Sequence, residues 1–131
     1  PVHPNPNVHN QVESILGNHD RIHLCPPLGY LDFLYVMKRC YFILSDSGGI
    51  QEEAPTLKKP VLVLRDTTER PEGIESGALK LVGTDTEKIW QAALSLLTDQ
   101  KVYNSMIKNP NPYGDGKASQ RIVEKILDIT D

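Results

Sequence analysis

"YFILSDSGGIQEEAPTL", residues 41–57, reads as a strand, a glycine turn and a helix in one short stretch. The apolar run 41–45 has the character of a strand covered on both faces, rich in large side chains and without strict alternation. Gly48 and Gly49 then permit close approach and positive φ, and they leave backbone N–H groups free where a helix begins. Free donors and the positive end of the helix dipole favour an anion, most naturally a phosphate. Ser47 adds a hydroxyl donor. One turn into the helix stand Glu52 and Glu53, and a carboxylate so close to a phosphate suits a neighbouring diol instead, as acids do on ribose hydroxyls. Phosphate and ribose together mean a nucleotide. Taken alone, the same residues also describe a capped helix with solvated acids in its first turn.

The pattern repeats along the chain. Residues 21–25 ("RIHLC"), 60–64 ("PVLVL") and 78–83 ("ALKLVG") are further strand candidates, and helical patterns lie between them. Residues 10–16 predict a helix ending at Gly17. Residues 30–39 predict another, with Leu31, Leu34, Tyr35 and Lys38 on one face. Residues 85–99 carry the strongest helical signal, capped by Thr84 or Asp85, with Ile89, Ala92, Ala93, Leu96 and Leu97 as the buried stripe and Trp90 in the core. Helices are also expected over 100–108 and 117–129. Alternating strands and helices with short connections predict an α/β fold: a Rossmann-like parallel sheet flanked by helices. Ligands bind such sheets beyond the carboxyl ends of the strands. Three loops therefore matter, at 26–30, 45–49 and 65–73.

Composition limits the partners. With 131 residues, a net charge of −3 and 24% charged residues without a basic block, the chain fits one domain and carries no footprint for nucleic acid. No apolar stretch is long enough to span a bilayer. Cys25 and Cys40 lack ligand-type company, so they read as reduced thiols, which suggests cytoplasm. The opening "PVHPNPNV", without Met, reads as the end of a strand, and the sequence predicts a fragment that starts inside a domain.

The loop "RDTTERPEG" (65–73) is dense in charge directly after a buried strand. Arg70 suits a bidentate clamp on a diphosphate, with Asp66 and Glu69 available to orient it. The loop "NPNPYGDGKAS" (109–119) reads as a tight turn aiming the last helix, with Asp115 or Gly116 at its entry. His19 and His23 share no helical face, and no cluster has ligand spacing, so no metal site is expected. His3 lies in a loop on the expected ligand side.

Read together, "LSDSGGIQEEAPTLKKPVLVLRDTTERPEG", "LVGTD" and "NPYGDGKAS" resemble the C-terminal region of the non-hydrolysing UDP-N-acetylglucosamine 2-epimerases, across essentially the whole chain. The resemblance implies the C-terminal part of a two-domain GT-B fold, with residues 1–131 a Rossmann-like UDP-binding domain, incomplete at its N-terminal end. It implies UDP-GlcNAc and UDP as ligands: Ser47, Gly48 and Gly49 at the phosphates, Glu53 rather than Glu52 on the ribose, Arg70 near the diphosphate, and Leu28 and Phe33 around the uracil. His3 matches a position near a second, allosteric UDP-GlcNAc.

Family chemistry eliminates UDP and adds it back with inversion at C2, giving UDP-ManNAc for surface polysaccharides, without cofactor or metal. Its acid/base carboxylates would lie upstream, in an N-terminal domain of the same protein. The chain alone would then be inactive, and its parent a homodimer. A hydrolysing epimerase, a GT-B glycosyltransferase and a non-catalytic nucleotide-binding module are the competing readings.

Overall fold

The computed structural model describes residues 1–130. They form two compact units, residues 1–36 and the residues from Met37 onward. In the first unit, helix α1 spans Pro6–Leu16. It starts earlier than the apolar pattern suggests, because Asn5 caps it: Asn5 Oδ1 accepts from the Asn7 N–H at 3.0 Å, and Pro6 sits in the first turn where no donor is needed. Gly17 follows the helix as expected but stays right-handed, at φ −65°.

The strand expected at residues 21–25 does not form. Instead the Val2 N–H donates once, to the Cys25 carbonyl at 2.8 Å. Pro4, two residues on, has no N–H with which to extend a ladder from that bond. Helix α2 (Tyr30–Arg39) has the expected bounds, but Leu31 and Tyr35 are exposed and Met37 is its buried residue. A stripe in the sequence marks which face suits a cover, not that a cover is present.

The second unit holds a parallel sheet of β1 (Ile43–Ser45), β2 (Val61–Val63) and β3 (Leu79–Leu81), in that order. Ile43, Val61 and Leu79 stand in one register, as do Ser45, Val63 and Leu81. Helix α3 (Gly48–Glu53) crosses from β1 to β2, and α4 (Pro71–Glu75) from β2 to β3. β2 is buried on both faces, which is why its sequence is uninterrupted Val-Leu-Val. Leu62 packs into one cluster with Val82, Ala92, Leu96, Tyr103 and Met106. Val61 and Val63 pack on the opposite face with Ala54 and Leu79, beside Ile50 and Ile74. Helices α5 (Thr86–Thr98) and α6 (Gln100–Lys108) cover the first face, and α3 and α4 the second.

Asp85 rather than Thr84 caps α5, accepting from the Lys88 N–H at 2.9 Å. The α5 stripe is buried at Ala92 and Leu96 and partly at Ile89 and Ala93. Leu97 and Trp90 are exposed. Trp90 is therefore not core: one residue past Ile89 on a 100° helical step, it points away from the sheet. Helix α7 (Ala118–Thr130) completes the described residues, and Asp115 stands at its entry, accepting from the Lys117 N–H and pairing with Arg121.

Lys58, in the turn after α3, has a left-handed backbone (φ 53°) while its N–H bonds to the Pro55 carbonyl and the Lys59 N–H to Ala54. A side chain there is strained, and its own side chain is exposed. Lys58→Gly should therefore raise stability by about 0.5–1 kcal/mol. Urea unfolding checks this, and a lowered midpoint would mean that the lysine side chain contributes more than its backbone loses.

Candidate functional site

The loop leaving β1 and the loop leaving β2 meet at the carboxyl end of the sheet. Ser47 is the N-cap residue of α3 by backbone (φ −73°, ψ 129°), yet its hydroxyl makes no capping bond. Its own N–H donates to Ser45 Oγ at 3.1 Å. Gly48 and Gly49 are not left-handed, contrary to the expectation. What glycine allows at 48 is closeness: a Cβ there would lie 2.9 Å from Arg70 Cζ and 3.0 Å from both of its terminal nitrogens, so the guanidinium would have to shift. The flat face of the guanidinium thus rests on the first turn of α3. At Gly49 a Cβ would meet only Ser47 Oγ, at 3.9 Å, so the space above it is open.

Arg70 precedes Pro71 at the head of α4, with its side chain a quarter exposed. Its Nε donates to Glu52 Oε1 at 2.6 Å and its Nη1 to Glu69 Oε2 at 3.3 Å. The bond to Glu52 holds the guanidinium above its usual pKa, so it is a permanent cation. Of the two acids named as orienting groups, Glu69 reaches Arg70 and Asp66 does not. Asp66 turns toward Gly83, where a Cβ would come within 2.8 Å of its Oδ1. With Arg65, Lys80 and Lys88 it lines a separate cavity of about 470 Å³.

Glu52, exposed, is thus engaged with Arg70, and the half-buried Glu53 is left out of the pair. The two loops are tied beneath by Gln51, a fully buried polar side chain. Its Oε1 accepts from Thr68 Oγ1 at 2.6 Å, and its Nε2 donates to the Ser47 carbonyl at 3.3 Å. Thr68 Oγ1 in turn accepts from the Arg70 N–H at 3.2 Å. Gln51 and Thr68 are not among the residues that the motifs point to. A signal existed: Gln51 stands three and four residues before the buried Ala54 and Pro55, so it shares their face of the helix.

The other expected residues lie in the first unit and are described within it. Leu28 is half-buried in an extended segment, and Phe33 is half-buried in the first turn of α2, its N–H bonded to the Gly29 carbonyl. His3 is exposed, with Nδ1 accepting from the Asn5 N–H at 3.1 Å, so it shapes the turn into α1. Among the described residues no group of three or more His, Cys, Asp or Glu side chains is placed to hold a metal, and no helix is long and apolar enough to cross a membrane. Both cysteines are free thiols.

The arrangement is a cation over a glycine turn, with open space above Gly49 and a spare carboxylate one turn along. The chain as a whole is similar to known proteins in sequence and fold. The family profile described as UDP-N-acetylglucosamine 2-epimerase matches residues 1–127. UDP-N-acetylglucosamine 2-epimerase of Bacillus subtilis is 58% identical over 127 residues, covering 97% of this chain and 33% of that protein. The Staphylococcus aureus MnaA–UDP structure superposes with a TM-score of 0.89 at 56% identity, over 95% of this chain and 34% of the other. The Neisseria meningitidis UDP-GlcNAc 2-epimerase bound to UDP-GlcNAc superposes at 0.90 with 50% identity, over 98% and 34% respectively. The chain thus spans about a third of the length of these relatives. By profile, identity and fold together, it belongs to the UDP-N-acetylglucosamine 2-epimerase family.

Proposed function

We propose that this chain is the UDP-holding, C-terminal portion of an enzyme that interconverts UDP-GlcNAc and UDP-ManNAc by eliminating UDP and adding it back. The observation that carries the reading is the Arg70 guanidinium lying flat on Gly48 at the head of α3, beside the open space above Gly49. A diphosphate entering that space would meet the arginine, the Ser47 hydroxyl and the N–H groups of the first helical turn. Glu53 is assigned to the ribose hydroxyls, since Glu52 is held by Arg70. Leu28 and Phe33 are assigned to the uracil, and His3 to a second, regulatory UDP-GlcNAc. Solved relatives of 50–56% identity are named as holding UDP or UDP-GlcNAc, which supports this choice of ligand.

The chemical role follows from electrostatics. Elimination places a growing negative charge on the leaving diphosphate, and a fixed cation beside oriented N–H donors lowers the energy of that charge. The carboxylates that move protons at the sugar are assigned to a part of the parent protein other than residues 1–131, which on this reading hold UDP without turning substrate over. The parent is proposed to act as a homodimer in the cytoplasm, supplying UDP-ManNAc for surface polysaccharide.

Calorimetric titration of the chain with UDP, with uridine as the control, tests the assignment. UDP should bind at least about tenfold more tightly than uridine, because the diphosphate brings the charge-assisted contacts. Equal binding of the two, or none, would remove the diphosphate site from this chain.

A further inference from the structure

Helix α4 begins at a residue with an uncommon backbone. Arg70 stands in its N-cap position at φ −127° and ψ 64°, and its side chain caps nothing. Pro71 follows, and a proline ring keeps the residue before it out of the helical region. The Arg70 main chain is held by a side chain: its N–H donates to Thr68 Oγ1 at 3.2 Å. The same hydroxyl donates to Gln51 Oε1 at 2.6 Å, and Gln51 Nε2 donates to the Ser47 carbonyl at 3.3 Å.

These bonds run head to tail. A hydroxyl has one proton to give and lone pairs to receive, and Thr68 uses both capacities, one toward each loop of the site. Bonds aligned in this way strengthen one another where water is excluded, and Gln51 is fully buried. One end of the series is the backbone of Ser47 at the head of α3, and the other is the backbone of Arg70 at the head of α4. The guanidinium fits so closely over Gly48 that a Cβ there would strike it. A fit that close, at the end of a long stem, tolerates little displacement of the Arg70 main chain. The neighbouring Thr67 is exposed and takes no part in the series.

We propose that Thr68 is a positioning residue for the diphosphate site: its hydroxyl fixes the Arg70 main chain against α3, so that the guanidinium and the turn at Ser47–Gly49 face one ligand together. Thr68 acts through Arg70 and not by touching the ligand. The inference rests on the reading of Arg70 as the diphosphate clamp.

Calorimetry with UDP and with uridine, alongside thermal unfolding, tests this on the unaltered chain and its variants. Thr68→Val keeps the shape and removes the hydroxyl. It should weaken UDP binding roughly tenfold and leave uridine binding unchanged, whereas a general loosening of the fold would weaken both. Thr68→Ser keeps the hydroxyl and should bind UDP as the unaltered chain does, and so should Thr67→Val. Should Thr68→Val fail to fold because it orphans the buried Gln51 oxygen, Gln51→Leu/Thr68→Val removes both partners of that bond and should show the same loss of UDP affinity. In the Arg70→Ala background Thr68→Val should bring no further loss, because nothing is left to position. Native UDP affinity in the folded valine variants would overturn the proposal. So would an equal loss for uridine, a serine variant as weak as the valine one, or an undiminished loss without Arg70. UDP binding absent from the unaltered chain, or untouched by Arg70→Ala, would overturn the clamp reading itself and this proposal with it.

Discussion

Gln51→Ala should destabilise the chain by about 3 kcal/mol, from the cavity left in a packed interior together with two lost hydrogen bonds. Gln51 is fully buried, and Ala54 and Pro55, which share its side of the helix end, are themselves buried and not free to fill the gap. Its amide joins the backbone of the first loop, at the Ser47 carbonyl, to the Thr68 hydroxyl of the second. Truncation leaves Thr68 without its acceptor and loosens the segment that carries the Arg70 N–H. For a chain of this size the melting temperature should fall by roughly 10 °C. Gln51→Met separates the two contributions, since it keeps the volume and loses the bonds. It should cost about 1–2 kcal/mol, the share owed to hydrogen bonding alone. Urea unfolding of both variants checks the pair, and equal midpoints for Ala and the native residue would mean that Gln51 ties nothing together.

That a buried glutamine governs the site was the least legible part of the sequence. Strands show when both faces are covered, as in the Val-Leu-Val of β2, and helix α5 shows through its cap at Asp85 and its apolar phase. Such signals are local, set by neighbours three or four residues away. Residues 21–25 have the composition of a strand, but a ladder depends on a partner far off in sequence, and Pro4 stops the one that begins at Val2. The size of Trp90 suggests core, but its helical phase turns it to solvent. At the glycine turn the residue type was the right signal with the wrong cause. Gly48 leaves room for the guanidinium of Arg70, twenty-two positions along the chain, and its backbone is not left-handed. Nor can a run of charges show which acid takes which base: only the folded loops bring Glu52 rather than Asp66 to Arg70.

That pairing leads to the second expected result, in which two substitutions at one ion pair move affinity in opposite directions. Arg70→Ala should weaken UDP binding by roughly tenfold to a hundredfold, the loss of a charge-assisted contact to a diphosphate. Glu52→Gln should strengthen it by roughly threefold, because the carboxylate competes with the diphosphate for the same guanidinium and adds a repelling charge beside it. The amide still accepts a hydrogen bond from Arg70 Nε, so the side chain keeps its support while the competing charge is gone. Glu69 is too exposed to replace that competition. Because Glu52 is also exposed, the gain should shrink as salt is raised and the repulsion is screened. Calorimetry at low and high ionic strength measures both effects. Should Glu52→Gln weaken binding as Arg70→Ala does, the carboxylate would be the group that aims the arginine at its ligand, and the ion pair would be part of the bound state instead of its competitor.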